Sequence, residues 1–80
     1  MTAVVTKSVR HGETETVDYP TGFTYSNTAV IDTYLIYSNV KYHGSGNVTA
    51  RTKSSGIEIT MNGGGASDTL SCGVMLLKIL

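Results

Sequence analysis

Tryptophan is absent from this chain of 80 residues, and cysteine, proline and phenylalanine each occur once. A single Cys72 forms no internal disulfide, and one Cys with two His is too few for a structural zinc site built from those residue types. Charge is scarce as well. Asp, Glu, Lys and Arg make up 15% of the chain, against about 25% in an ordinary globular domain. Six acidic side chains balance six basic ones. Nucleic acid and anionic membrane surfaces call for a basic footprint, so neither is an expected partner. The longest apolar run, Val74-Met75-Leu76-Leu77, falls far short of the ~20 residues that cross a bilayer. Met1 to Val5 carries no basic segment ahead of an apolar one, so neither a signal peptide nor membrane insertion is expected.

Threonine, serine, glycine and asparagine are plentiful, residues that suit strands and turns. Hydrophobic residues at 40% are too many for a disordered chain. A chain of 8.5 kDa has room for one small core. Such domains need extra support. With disulfides and zinc excluded, that support is expected from oligomerisation.

Helical apolar spacing never persists for three turns, whereas strand signals recur along the chain. Strands are predicted over Ala3 to Val9, Thr14 to Tyr19, Ala29 to Tyr37, Val40 to His43, Val48 to Lys53, Ile57 to Met61 and Leu70 to Leu80. Turns are predicted around Pro20 and Gly22, at Ser38-Asn39, at Gly44-Ser45-Gly46-Asn47, and in the loop Asn62 to Asp68. In the middle strand, alternation puts Ile31, Leu35 and Tyr37 on one face and Val30, Tyr34 and Ile36 on the other. The expected fold is all-β, a small antiparallel β-sandwich or jelly-roll-like barrel.

The last strand carries Val74, Leu76 and Leu80 on one face and Met75, Leu77 and Ile79 on the other, with Lys78 as the sole break. A strand apolar on both faces must be covered on both. One sheet-on-sheet core covers one side. The other side meets a neighbouring chain, or the strand is the centre of a closed barrel covered by loops. The first alternative makes Val74, Met75, Leu76, Leu77 and Ile79 an oligomer interface.

Catalytic patterns are weak. Ser67-Asp68 with His11 or His43 is a triad in composition only, since Thr69 stands where a nucleophile elbow needs its second glycine. Cys72 with His43 is a thiol pair in composition, but a cysteine opening an apolar strand reads as a small buried hydrophobe. Gly63-Gly64-Gly65 lacks the Lys-Ser/Thr and helix of a phosphate loop. His11-Gly12-Glu13 with His43 is too sparse for a metal site. Asn47-Val48-Thr49 matches a glycosylation acceptor without a secretory context. No catalytic residue, metal or cofactor is therefore expected.

The aromatic side chains carry more information. Tyr34, Tyr37 and Tyr42 lie on neighbouring strands with Ser38, Asn39 and His43 interleaved. Aromatic faces beside amide, carboxylate and hydroxyl groups hold sugars. The same tyrosines also suit cross-strand packing, and both readings stand at this point. Binding groups concentrate on loops carried by a rigid scaffold. That directs attention to Ser38 to Asn47 and Asn62 to Asp68, with Tyr37, Asn39, Tyr42, His43 and Asp68 as candidate ligand residues.

Three ordered motifs carry a resemblance. Tyr19-Pro20-Thr21-Gly22-Phe23 is followed by Asn27 and Ala29-Val30-Ile31; then come Ser55-Gly56-Ile57-Glu58-Ile59-Thr60 and Val74 to Ile79. In this order they resemble the C-terminal head modules of tailed-bacteriophage fibre and baseplate proteins. The chain departs from many sugar-binding heads in having no tryptophan. The resemblance implies one β domain over residues 1–80, with 1–16 as N-terminal strands or an arm and 17–80 as the head. It further implies a homotrimer on the virion surface, made in the bacterial cytoplasm, that binds a host surface glycan without catalysis. The alternative is a purely structural virion component, such as a capsid decoration, fibre cap or assembly protein, contacting other virion proteins only.

Overall fold

The computed structural model describes residues 1–44 and 46–79. Ser45 of the predicted glycine-rich turn, and Leu80 of the predicted last strand, lie outside the described residues. Among the described residues seven strands form: β1 (Thr2–Arg10), β2 (Thr14–Val17), β3 (Thr28–Tyr37), β4 (Val40–His43), β5 (Val48–Lys53), β6 (Gly56–Met61) and β7 (Thr69–Lys78). A 3-10 turn, Tyr25–Asn27, leads into β3. Every pairing is antiparallel. One sheet has four strands in the order β1-β7-β3-β4, and the other has three in the order β2-β6-β5. The fold is a small all-β sandwich. Residues 1–16 are part of it, since β1 pairs with β7 and β2 with β6.

The two central strands, β6 and β7, face each other across the interior. Ile57, Ile59 and Met61 from β6, and Cys72, Val74 and Leu76 from β7, are all fully enclosed. Val9, Phe23, Leu35 and Val48 complete the core around them. Each such side chain contributes about 1.5–3 kcal/mol by leaving water. Phe23 arrives there through a turn in which its N–H donates to the Pro20 carbonyl at 2.9 Å, with Gly22 at φ +89°. That positive φ is the conformation a type II turn requires at its third residue. Beside it the Tyr19 hydroxyl donates to the Lys53 carbonyl at 2.6 Å, which ties the turn to the end of β5.

Strict alternation fails once, in β3. Val30 pairs with Leu76 and Asp32 with Met75, so the register shifts between them and Ile31 is left as a bulge. The extra residue turns the strand's phase over. Val30 therefore packs on the core, while Ile31 is 48% exposed. The sequence expectation that Ile31 shares a face with Leu35 is corrected accordingly.

The outer face of the larger sheet carries Tyr34, which nonetheless is buried. Its ring lies on Gly73, the residue opposite it in β7. Lys41 Nζ sits 5.0 Å from the ring centroid and the His43 ring is 5.3 Å away. Any Cβ at position 73 would enter the tyrosine ring. Gly73→Ala is thus expected to destabilise the fold by about 1–3 kcal/mol, as overpacking does. In a Tyr34→Ala background the same change should cost far less, because the obstruction is gone. Urea unfolding of the four proteins in this cycle measures the difference.

Candidate functional site

Strand β4 has no counterpart in the three-stranded sheet. Across the interior β1 lies against β2, β7 against β6, and β3 against β5. The inner face of β4 and the end of β3 therefore project past the smaller sheet. The hairpin is closed by Ser38 and Asn39 at φ +50° and +63°, the left-handed pair that a two-residue turn demands. Its register sets Leu35 opposite Tyr42 and Tyr37 opposite Val40. Leu35 faces the core, so Tyr42 and Tyr37 share its face and extend it beyond the sandwich.

Under this overhang lies an open groove of about 360 Å³. Tyr37 and Tyr42 form one wall, Leu35 and Leu70 the apolar floor, and Asn47 and Asp68 the polar rim. The two tyrosines are 52% and 46% exposed, so their faces are open to a ligand. The opposite rim is well anchored. The Asn47 carbonyl accepts from the N–H groups of Asn62 (2.8 Å) and Gly63 (3.1 Å). The Gly63 carbonyl meets His11 Nδ1 at 2.9 Å. Asp68 Oδ2 accepts the Gly65 N–H at 2.7 Å, and its own N–H donates to the Gly65 carbonyl at 3.0 Å. Asp68 is half-buried, and among the described residues no cation pairs with it.

Of the five ligand residues expected from sequence, Tyr37, Tyr42 and Asp68 line this groove together. Asn39 does not line it and occupies the hairpin turn. His43 lies on the other face of the sheet, where its Nδ1 is 2.8 Å from Asp32 Oδ2. Asn47 and Leu70 were not singled out in the sequence, although Asn47 lies within the loop region expected to hold contacts. Of the five interface residues expected from sequence, Val74 and Leu76 are enclosed in the chain's own core. Met75 and Leu77 are half-buried on the outer face, and Ile79 is 53% exposed.

A second, smaller depression of about 250 Å³ lies on the outer face of the smaller sheet, lined by Thr14, Thr49, Thr60, Arg51 and Glu58. Most of its polar groups already have partners. Thr14 and Thr60 hydroxyls meet at 2.7 Å, and Glu58 is gripped by Arg51 at 3.1 Å and Lys53 at 3.2 Å. Those hydrogen bonds hold the Glu58 carboxyl below its ordinary range. The groove under β4 offers open aromatic faces and an unpaired carboxylate, and so is the better candidate site.

Of the combinations with nucleophilic chemistry, Ser67-Asp68 and His11 are neighbours, the His11 N–H donating to the Asp68 carbonyl at 2.8 Å. His11 Nδ1 meets the Gly63 carbonyl, however, and among the described residues no hydrogen bond joins the three side chains. Cys72 and His43 are held apart. Cys72 points into the core, and its thiol is raised from 9.0 to about 11 by burial. His43 is on the opposite side of the same sheet. Comparison with known proteins finds no matching family model, no similar curated protein and no similar solved structure.

A thiol held protonated in the core should react with a disulfide reagent at least ~100-fold more slowly in the native chain than in the urea-unfolded one. Stability should also fall as pH rises from about 9 toward 11, because the unfolded chain loses the Cys72 proton in that range and the native one keeps it. Unfolding titrations of wild type and Cys72→Ala measure the difference in slope.

Proposed function

We propose that this protein is a non-enzymatic adhesion module whose groove under β4 binds saccharide. The groove carries the reading: two exposed tyrosine faces, an amide and a carboxylate converge on an open apolar floor. Tyrosine combines a flat apolar face with a polar tip, which suits a sugar ring and its hydroxyls. Ordered polar groups on a rigid scaffold hold such a ligand without further rearrangement. The three ordered motifs that resemble phage fibre and baseplate heads support a place on a virion surface, with a host glycan as the ligand.

The same reading includes a homotrimer. Val4, Ile31, Met75, Leu77 and Ile79 are exposed or half-buried apolar side chains on and beside the outer face of the larger sheet. An apolar face of this kind suits contact with further copies of the chain. Three weak sites on one trimer bind a repeating polymer by avidity.

Light scattering should give a mass near three times 8.5 kDa, and the protein should sediment with purified walls of its host bacterium. Tyr42→Ala should leave the mass unchanged and weaken wall binding at least tenfold. The double variant Met75→Glu/Leu77→Glu should give a folded monomer that binds equally weakly for loss of avidity. A trimer that binds no wall would favour the structural virion component over the adhesin. A wild-type monomer would remove the assembly from the proposal.

A further inference from the structure

None of the six Lys and Arg residues lines the groove, and Asp68 is the one charged side chain that does. The basic groups on the adjoining elements are turned to other partners: Arg10, opposite Thr69 in β7, lies 3.9 Å from Glu13, and His11 Nδ1 meets the Gly63 carbonyl at 2.9 Å. Lys41 lies over Tyr34 on the opposite face, while Arg51 and Lys53 are paired with Glu58 on the far sheet. The Asp68 carboxylate is pre-oriented, because Oδ2 is held by the Gly65 N–H at 2.7 Å while, among the described residues, Oδ1 makes no hydrogen bond. It therefore faces the ligand space with an unmatched negative charge beside two tyrosine rings.

This arrangement selects by charge. Aromatic faces attract cations through their quadrupole. A carboxylate strengthens that attraction and adds a charge-assisted hydrogen bond to an ammonium. An anionic ligand would bring a second negative charge to a site with no cation to offset it. We propose that the groove takes a saccharide bearing a protonated primary amine, with the sugar ring against Tyr37 and Tyr42 and the ammonium on Asp68. The proposal rests on the saccharide reading of this groove and adds the class of sugar.

Isothermal titration of the full chain with glucosamine oligomers, their N-acetylated counterparts and glucuronic acid oligomers tests it. The amine form is expected to bind at least tenfold tighter than the N-acetylated form, and the acid form not measurably. Asp68→Asn, which retains an oxygen for the Gly65 N–H, should erase the preference while keeping the weaker binding of the N-acetylated oligomer. Asp32→Asn, which removes the same charge on the opposite face of the sheet, should leave the preference intact. Equal binding of the amine and N-acetylated forms would overturn the amine assignment and leave the saccharide reading standing. Failure of every oligomer to bind would overturn both. A preference lost equally in Asp32→Asn would trace it to net charge and overturn the role of Asp68.

Discussion

The contact of β6 with β7 is the constraint on which the remaining structure depends. These two strands are the centres of their sheets, and their inward side chains are wholly removed from water. They are also consecutive in the chain, joined by the loop that carries Asp68. The core therefore fixes both ends of that loop. Within it, hydrogen bonds from the Asn62 and Gly63 N–H groups to the Asn47 carbonyl, and from His11 Nδ1 to the Gly63 carbonyl, tie the loop to the start of β5 and to the end of β1. One rim of the groove is in this sense an extension of the core.

The groove exists because the sheets are unequal. A fourth strand opposite β4 would bury Tyr37 and Tyr42 as it buries Leu35, and would leave a thicker sandwich with no opening. The chain instead ends the smaller sheet at β5 and leaves the inner face of the hairpin in water. The outer face of the same hairpin is managed differently. There Tyr34 lies flat on Gly73, beneath Lys41 and beside His43, so a large ring is covered without a third layer. Adjacent residues of one strand thus serve two surfaces, with Tyr42 turned to the groove and His43 to the back.

Much of the fold was legible because strand periodicity and turn chemistry are local. Alternation marked the strands near their observed places, and Ser38-Asn39 was readable as a tight turn. The bulge at Ile31 was not, since it depends on which strand lies alongside. Strand order was hidden for the same reason: Val74 and Leu76 read equally well as a core face or as an interface until β7 is known to oppose β6. The site was half legible. Tyr37, Tyr42 and Asp68 converge through a hairpin and a loop already seen as candidates, but period-two alternation alone argues against Tyr42 and His43 sharing one site. The motifs that resemble phage heads fall at structural positions, with Phe23, Gly56 and the inward side of β7 all buried. They speak to how the sandwich closes more than to what it binds.

Amide chemical-shift mapping during titration with soluble oligosaccharides from host cell walls tests the central claim most directly. The account predicts saturable shifts confined to Tyr37, Tyr42, Asn47, Asp68 and Leu70 and their immediate neighbours, with the outer faces of both sheets unmoved. Shifts centred on the threonine-lined face around Thr14 and Thr60, or on the outer face around His43 and Asp32, would contradict it.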